Sequence, residues 1–133
     1  EAVDYHAVPY AIFTYPQVAS VGMKEADAIA AGLKVLIGRA TYLDVAKGVA
    51  MAEENGLVKV ILEEETGRIL GATVVGSMAS ELVQQVVYLM NTEYQDLMPV
   101  IKSQVIHPTI NEVMVRAFSE LSHPYHHHEQ SGQ

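Results

Sequence analysis

The sequence predicts an α+β fold, an antiparallel β-sheet covered by helices. Three observations predict it. In residues 57–75, Val58, Val60 and Leu62 alternate with Lys59, Ile61 and Glu63. Glu65-Thr66-Gly67-Arg68 then supplies a turn, and 69–75 runs back as the second arm of a hairpin. In residues 77–91, Leu82, Val83, Val86, Val87, Leu89 and Met90 recur at three- and four-residue spacings, which is the apolar face of a helix. Strand-like segments come first and helical ones later, so the two segregate rather than alternate.

The elements follow in order. Residues 8–14 read as a strand whose start Pro9 keeps at an edge, and Tyr15-Pro16 ends it. Residues 24–31 are alanine-rich, with Glu25 and Asp27 early and Gly32 beyond, which predicts a short helix. Strand character returns over 33–41. Residues 44–54 read as an irregular or short helical connection. After the hairpin, Gly76 punctuates, and Ser77 or Ser80 is placed to cap the long helix. Residues 94–98 read as a short helical piece closed by Pro99, and 100–105 as a further turn or two. A last helix runs from Thr109 to about Leu121. The domain is expected to span 1–121. Residues 122–133, polar and without pattern, are expected to form a disordered His-containing tail.

The chain has 133 residues, enough for one domain with a buried core. It starts at Glu1 rather than Met, which is expected of a processed chain or a piece of a longer one. Sixteen acidic against eight basic residues give a formal charge of −8. Such a surface repels a phosphate backbone, so no nucleic-acid partner is expected. No apolar run approaches the roughly 20 residues of a membrane span, and no signal peptide is visible. A cytoplasmic location is the default. The absence of cysteine excludes a disulfide or a thiol nucleophile within this chain.

His107-Pro108-Thr109-Ile110-Asn111-Glu112 is the segment most open to chemistry. It places an imidazole before a helix start and a carboxylate five residues on. Such a pair moves protons near neutral pH. The same residues fit a capping box, with Thr109 as N-cap and Glu112 at N3. A carboxylate has two oxygens, so one serving a backbone amide leaves the other for an imidazole. What the chain lacks is a nucleophile. His123, His126, His127 and His128 would bind a metal only weakly from a flexible segment, and no metal site is assigned. The broad apolar arc at 77–91 suits a core helix, or a core helix that also lines a subunit interface. Gly56, Gly67, Gly71 and Gly76 form no dinucleotide-binding fingerprint.

Several segments together resemble a known family. They are Phe13-Thr14-Tyr15-Pro16-Gln17-Val18-Ala19-Ser20-Val21-Gly22-Met23 with Glu25-Ala26, then Gly56-Leu57-Val58-Lys59-Val60, and Thr66-Gly67-Arg68-Ile69-Leu70-Gly71-Ala72 with Val75-Gly76. Ser80-Glu81-Leu82 and His107-Pro108-Thr109 with Glu112 complete the set, which covers about 8–121. It resembles the C-terminal dimerisation domain of the pyridine nucleotide–disulfide oxidoreductases, most like dihydrolipoamide dehydrogenase. The resemblance implies a homodimeric parent enzyme with an FAD domain carrying a redox-active cysteine pair, an NAD(P) domain, and this domain last. It implies that His107 of one subunit is the acid–base facing the other subunit's cysteine pair, oriented by Glu112. It also implies that His107 and Pro108 lie beside that subunit's flavin. FAD and NAD(P) would belong to the parent; this chain alone is expected to bind neither and to be inactive. Retaining His107 argues against mercuric reductase. A second histidine usual in dihydrolipoamide dehydrogenases is Val105 here, which keeps a glutathione-reductase-like or other disulfide reductase as the alternative. The rival of another class is a stand-alone dimerisation module without chemistry, which has no need of a titratable pair at this place.

Overall fold

The computed structural model describes residues 7–124. Six antiparallel strands form one sheet in the order β1-β2-β5-β4-β3-β6: β1 Pro9–Ile12, β2 Val18–Gly22, β3 Val35–Thr41, β4 Leu57–Glu63, β5 Ile69–Val75 and β6 Leu121–Ser122. The helices are α1 Glu25–Ala30, α2 Ala46–Ala50, α3 Ala79–Met90, α4 Met98–Lys102 and α5 Glu112–Ser119. The expected α+β class is therefore present.

Strand alternation decides which helix each residue meets. Val58, Val60 and Leu62 of β4 point into the main core, where α3 supplies Leu82, Val83, Val86 and Met90 and α5 supplies Val113, Met114, Ala117 and Phe118. Each of these side chains larger than alanine contributes about 1.5–3 kcal/mol when withdrawn from water. Ile61, one residue out of phase, joins Val35, Ile37 and Leu70 in a smaller core under Ala28 of α1. Lys59, on the same side as Ile61, pairs with Glu25 of α1, and Arg39 lies 3.6 Å from the same carboxylate. The sheet is thus covered by α3 and α5 on one face and partly by α1 on the other.

Gly38 of β3 lies directly beneath α5. A Cβ built there would stand 2.8 Å from Val60 Cγ2 and 3.0 Å from the Ala117 carbonyl carbon. Glycine at this position lets the helix approach the strand.

Several expectations differ from the structure. Residues 18–22 form β2, the strand between β1 and β5, which the sequence reading left unassigned; Ala19, Ser20 and Val21 are all buried, so no alternation marks it. The helical piece expected over 94–98 is absent from 94–97, and Met98 instead begins α4. Gln95 has φ 55, its carbonyl accepts the Ile69 amide at 2.7 Å, and Asp96 bridges Arg68, so this segment extends the hairpin. Pro99 sits in the first turn of α4 rather than closing a helix, because a first-turn residue has no N–H obligation to meet. Neither Ser77 nor Ser80 caps α3: the N-cap is Met78, while the Ser77 and Ser80 hydroxyls bond Glu53 and Glu81. The last helix is shorter than expected, since Leu121 and Ser122 leave it to pair with Gly38 and Ile37. Ser122 thus belongs to the sheet rather than to a tail, and His123 Nε2 meets Glu64 at 2.8 Å. Residues 125–133, with His126, His127 and His128, lie outside the described residues. Among the described residues there is no His/Asp/Glu group suited to a metal ion, and no helix long and apolar enough to cross a membrane.

Candidate active site

His107 and Pro108 lie in the connection from α4 to α5, and the peptide joining them is cis. A turn fixes this connection. Thr109 Oγ1 donates to the Ile106 carbonyl at 2.8 Å, and buried Ile110 anchors the turn in the core. Glu112, the first residue of α5, uses its two oxygens separately. Oε2 accepts the Thr109 amide at 3.1 Å, and Oε1 is 2.7 Å from His107 Nδ1. Half of the expected capping box is present. The Thr109 hydroxyl is engaged with Ile106, and Asn111 rather than Thr109 is the N-cap.

These contacts set the electrostatics of the pair. The Glu112 carboxyl is held below the ordinary carboxylate range, first by its hydrogen bond to His107 and next by the Thr109 amide, against a smaller opposing effect of desolvation. Glu112 is therefore ionised at neutral pH. An ionised carboxylate only accepts, so Nδ1 carries the hydrogen and donates it. The lone pair of the neutral ring then resides on Nε2. Nε2 has no protein partner among the described residues, and the His107 side chain is 69 % exposed against 23 % for Glu112. One nitrogen is held and the other is open.

The pair edges a cleft of about 430 Å³. Asp44, Val45 and Ala46, from the connection after β3, form the wall that shares this cleft with His107, Glu112 and Arg116. Asp44 accepts the Thr41 amide at 2.7 Å, and Arg116 pairs with Glu120 at 3.2 Å, so both charges are engaged. The sequence brought His107, Pro108 and Glu112 to notice but not this wall. Arg116 and Glu120 follow Glu112 at helical spacings of four, a signal that places them on one face. Residues 44–46 arrive from some sixty residues away and leave no local signal.

The sequence profile of the pyridine nucleotide-disulphide oxidoreductase dimerisation domain matches residues 8–118. The chain belongs to this family. Family members are flavin disulfide oxidoreductases, and a dimerisation domain implies oligomerisation within such an enzyme. The domain is 40 % identical over 118 residues to mycothione reductase from Mycobacterium tuberculosis, covering 89 % of this chain and 26 % of that protein. It is 40 % identical over 116 residues to dihydrolipoyl dehydrogenase from Rhizobium etli, covering 86 % and 24 %. The fold matches HOCl-induced flavoprotein disulfide reductase RclA from Escherichia coli with a TM-score of 0.78 and 25 % identity, over 85 % of this chain and 26 % of that one. The chain thus spans about a quarter of the length of the curated relatives it matches.

Proposed function

We propose that this domain supplies the acid–base of a homodimeric, cytoplasmic flavin disulfide oxidoreductase of the dihydrolipoyl dehydrogenase type. His107 serves the partner subunit's redox-active disulfide, and Glu112 orients and charges the imidazole. One observation carries the reading: Glu112 fixes Nδ1 while Nε2 is exposed with no partner among the described residues. A pure dimerisation module has no use for that arrangement.

The proton step needs only these residues and a thiol brought to them. A thiol S–H breaks as Nε2 takes its proton, leaving a thiolate, the nucleophilic form in disulfide exchange. The resulting imidazolium has both nitrogens protonated, and the Glu112 carboxylate stabilises it through Nδ1–H. In the reverse direction Nε2 returns the proton to the leaving sulfur. The flavin and nucleotide supply electron transfer when bound in the parent. His107, at the cleft edge, and its neighbour Pro108 are both exposed, which fits an approach by a group held on another subunit. Beside the cleft, Tyr88 of α3 stands 67 % exposed, while Val87 and Leu89 pack only partly against the core. That exposed apolar edge supports a subunit contact along α3.

The test is His107→Gln in the full-length enzyme. Turnover of the disulfide substrate is expected to fall by about 10²–10⁴-fold with flavin still bound, and unchanged turnover overturns the assignment. Parallel assays with dihydrolipoamide and with mycothione disulfide identify the substrate, since relatives of both names are equally similar at 40 % identity.

A further inference from the structure

Tyr42 is fully buried, although it belongs to the connection that carries the cleft wall. Its hydroxyl donates to the Ser77 carbonyl at 2.6 Å, and its amide donates to the Gly56 carbonyl at 2.9 Å. Ser77 is held from a second direction. Glu53, from the same 42–56 connection, accepts the Ser77 amide at 2.9 Å and the Ser77 hydroxyl at 3.0 Å. Two glycines make room for the ring: a Cβ on Gly76 would stand 2.9 Å from Cε2 and Cζ of Tyr42, and one on Gly56 would be closer still to the ring. Burial, and secondarily the Glu53 charge, push the Tyr42 phenol well above its ordinary value, so the hydroxyl remains a donor at any working pH.

This network fastens both ends of the 42–56 connection to the junction of β5 and α3. The residues immediately after Tyr42 are Leu43 and then Asp44, Val45 and Ala46, which line the same cleft as His107 and Glu112. Val45 is itself anchored, with its amide donating to the Tyr42 carbonyl at 3.3 Å.

We infer that the Tyr42–Ser77–Glu53 network positions the 44–46 wall of the acid–base cleft and thereby sets how a disulfide is seated against His107. Tyr42 is a positioning residue that never meets the substrate. The inference rests on reading His107 as the acid–base of this cleft. It separates two quantities: seating of the disulfide depends on the wall, whereas the protonation behaviour of His107 depends on its hydrogen bond to Glu112.

The experiment compares Tyr42→Phe and Glu53→Gln with the wild-type full-length enzyme. Phenylalanine keeps the ring that fills the glycine-lined space and removes only the hydroxyl. Tyr42→Phe is expected to raise KM for the disulfide about fivefold, the size one net hydrogen bond supports. The rate of flavin reduction by pyridine nucleotide and the pH profile of kcat stay as in wild type. Glu53→Gln keeps one acceptor for Ser77 and is expected to raise KM by less, which holds the inference open to test if Tyr42→Phe does not accumulate. Wild-type KM in both variants, with only a lowered Tm, overturns the inference and leaves the network a structural staple. A slowed flavin reduction also overturns it, because the effect is then not local to the disulfide. His107→Gln distinguishes the two readings: full turnover there sinks the acid–base assignment, whereas a KM effect in Tyr42→Phe is scored independently of it.

Discussion

Replacing Gly38 by alanine tests how α5, and with it Glu112, is seated. The added Cβ meets Val60 Cγ2 at 2.8 Å and the Ala117 carbonyl carbon at 3.0 Å. A comfortable carbon–carbon separation is about 3.5 Å, so the Ala117 carbonyl carbon alone requires strand and helix to part by about 0.5 Å, and its carbonyl oxygen, nearer still, requires more. Ala117 is helix backbone and cannot rotate away as a side chain would. Gly38 is also paired on both sides, with Val60 of β4 and Leu121 of β6, so β3 cannot yield alone. Overpacking of this kind costs about 1–3 kcal/mol. A chain of 133 residues unfolds with an entropy of about 0.28 kcal/mol/K. Tm is then expected to fall by about 4–11 °C, read by circular dichroism at 222 nm. His107 and Glu112 are five residues apart on one turn and shift together, so their mutual hydrogen bond survives the displacement. A Tm within about 1 °C of wild type would show that α5 does not rest on β3 at Gly38 and would refute the packing argument.

Two further outcomes follow from the same contacts. Glu112 has its carboxyl depressed in the folded chain, so the ionised form favours folding above the ordinary carboxylate value, and this contribution disappears as pH falls through the depressed one. Glu112→Gln should therefore have a lower urea midpoint at neutral pH, and the gap should close in acid; a gap that widens in acid contradicts the assigned hydrogen bonds. Leu82→Ala, at a position 1 % exposed in the first turn of α3, should cost about 2–5 kcal/mol in urea unfolding, and a loss below about 1 kcal/mol would contradict the placement of that face in the core.

Local pattern determined much of this protein. The hairpin of β4 and β5 and the apolar face of α3 are periodicities written in neighbouring residues, and they place Val58, Val60, Leu62, Leu82 and Val86 in the core as read. The His107–Glu112 pair was legible for the same reason, because five residues and one turn suffice to join them. Its double engagement, one oxygen for the Thr109 amide and one for the imidazole, follows from a carboxylate having two acceptors at a helix start.

Tertiary structure decided the rest, wherever a partner comes from far along the chain. β2 was hidden because burial of Ala19, Ser20 and Val21 between β1, β5 and α3 erases alternation. Leu121 looked like the end of a helix and Ser122 like the start of a tail, and both became a strand because β3 had an open edge to fill. Residues 94–97 gave up a helical reading to hydrogen bonds with Arg68 and Ile69. The wall at 44–46 shares a cleft with His107, and its connection is tied by Tyr42 and Glu53 to Ser77, across 35 and 24 residues. Sequence alone determined that His107 and Glu112 pair at the start of α5. What surrounds the open nitrogen was decided by packing, because side chains distant in sequence acquire definite positions only when the sheet brings their strands together.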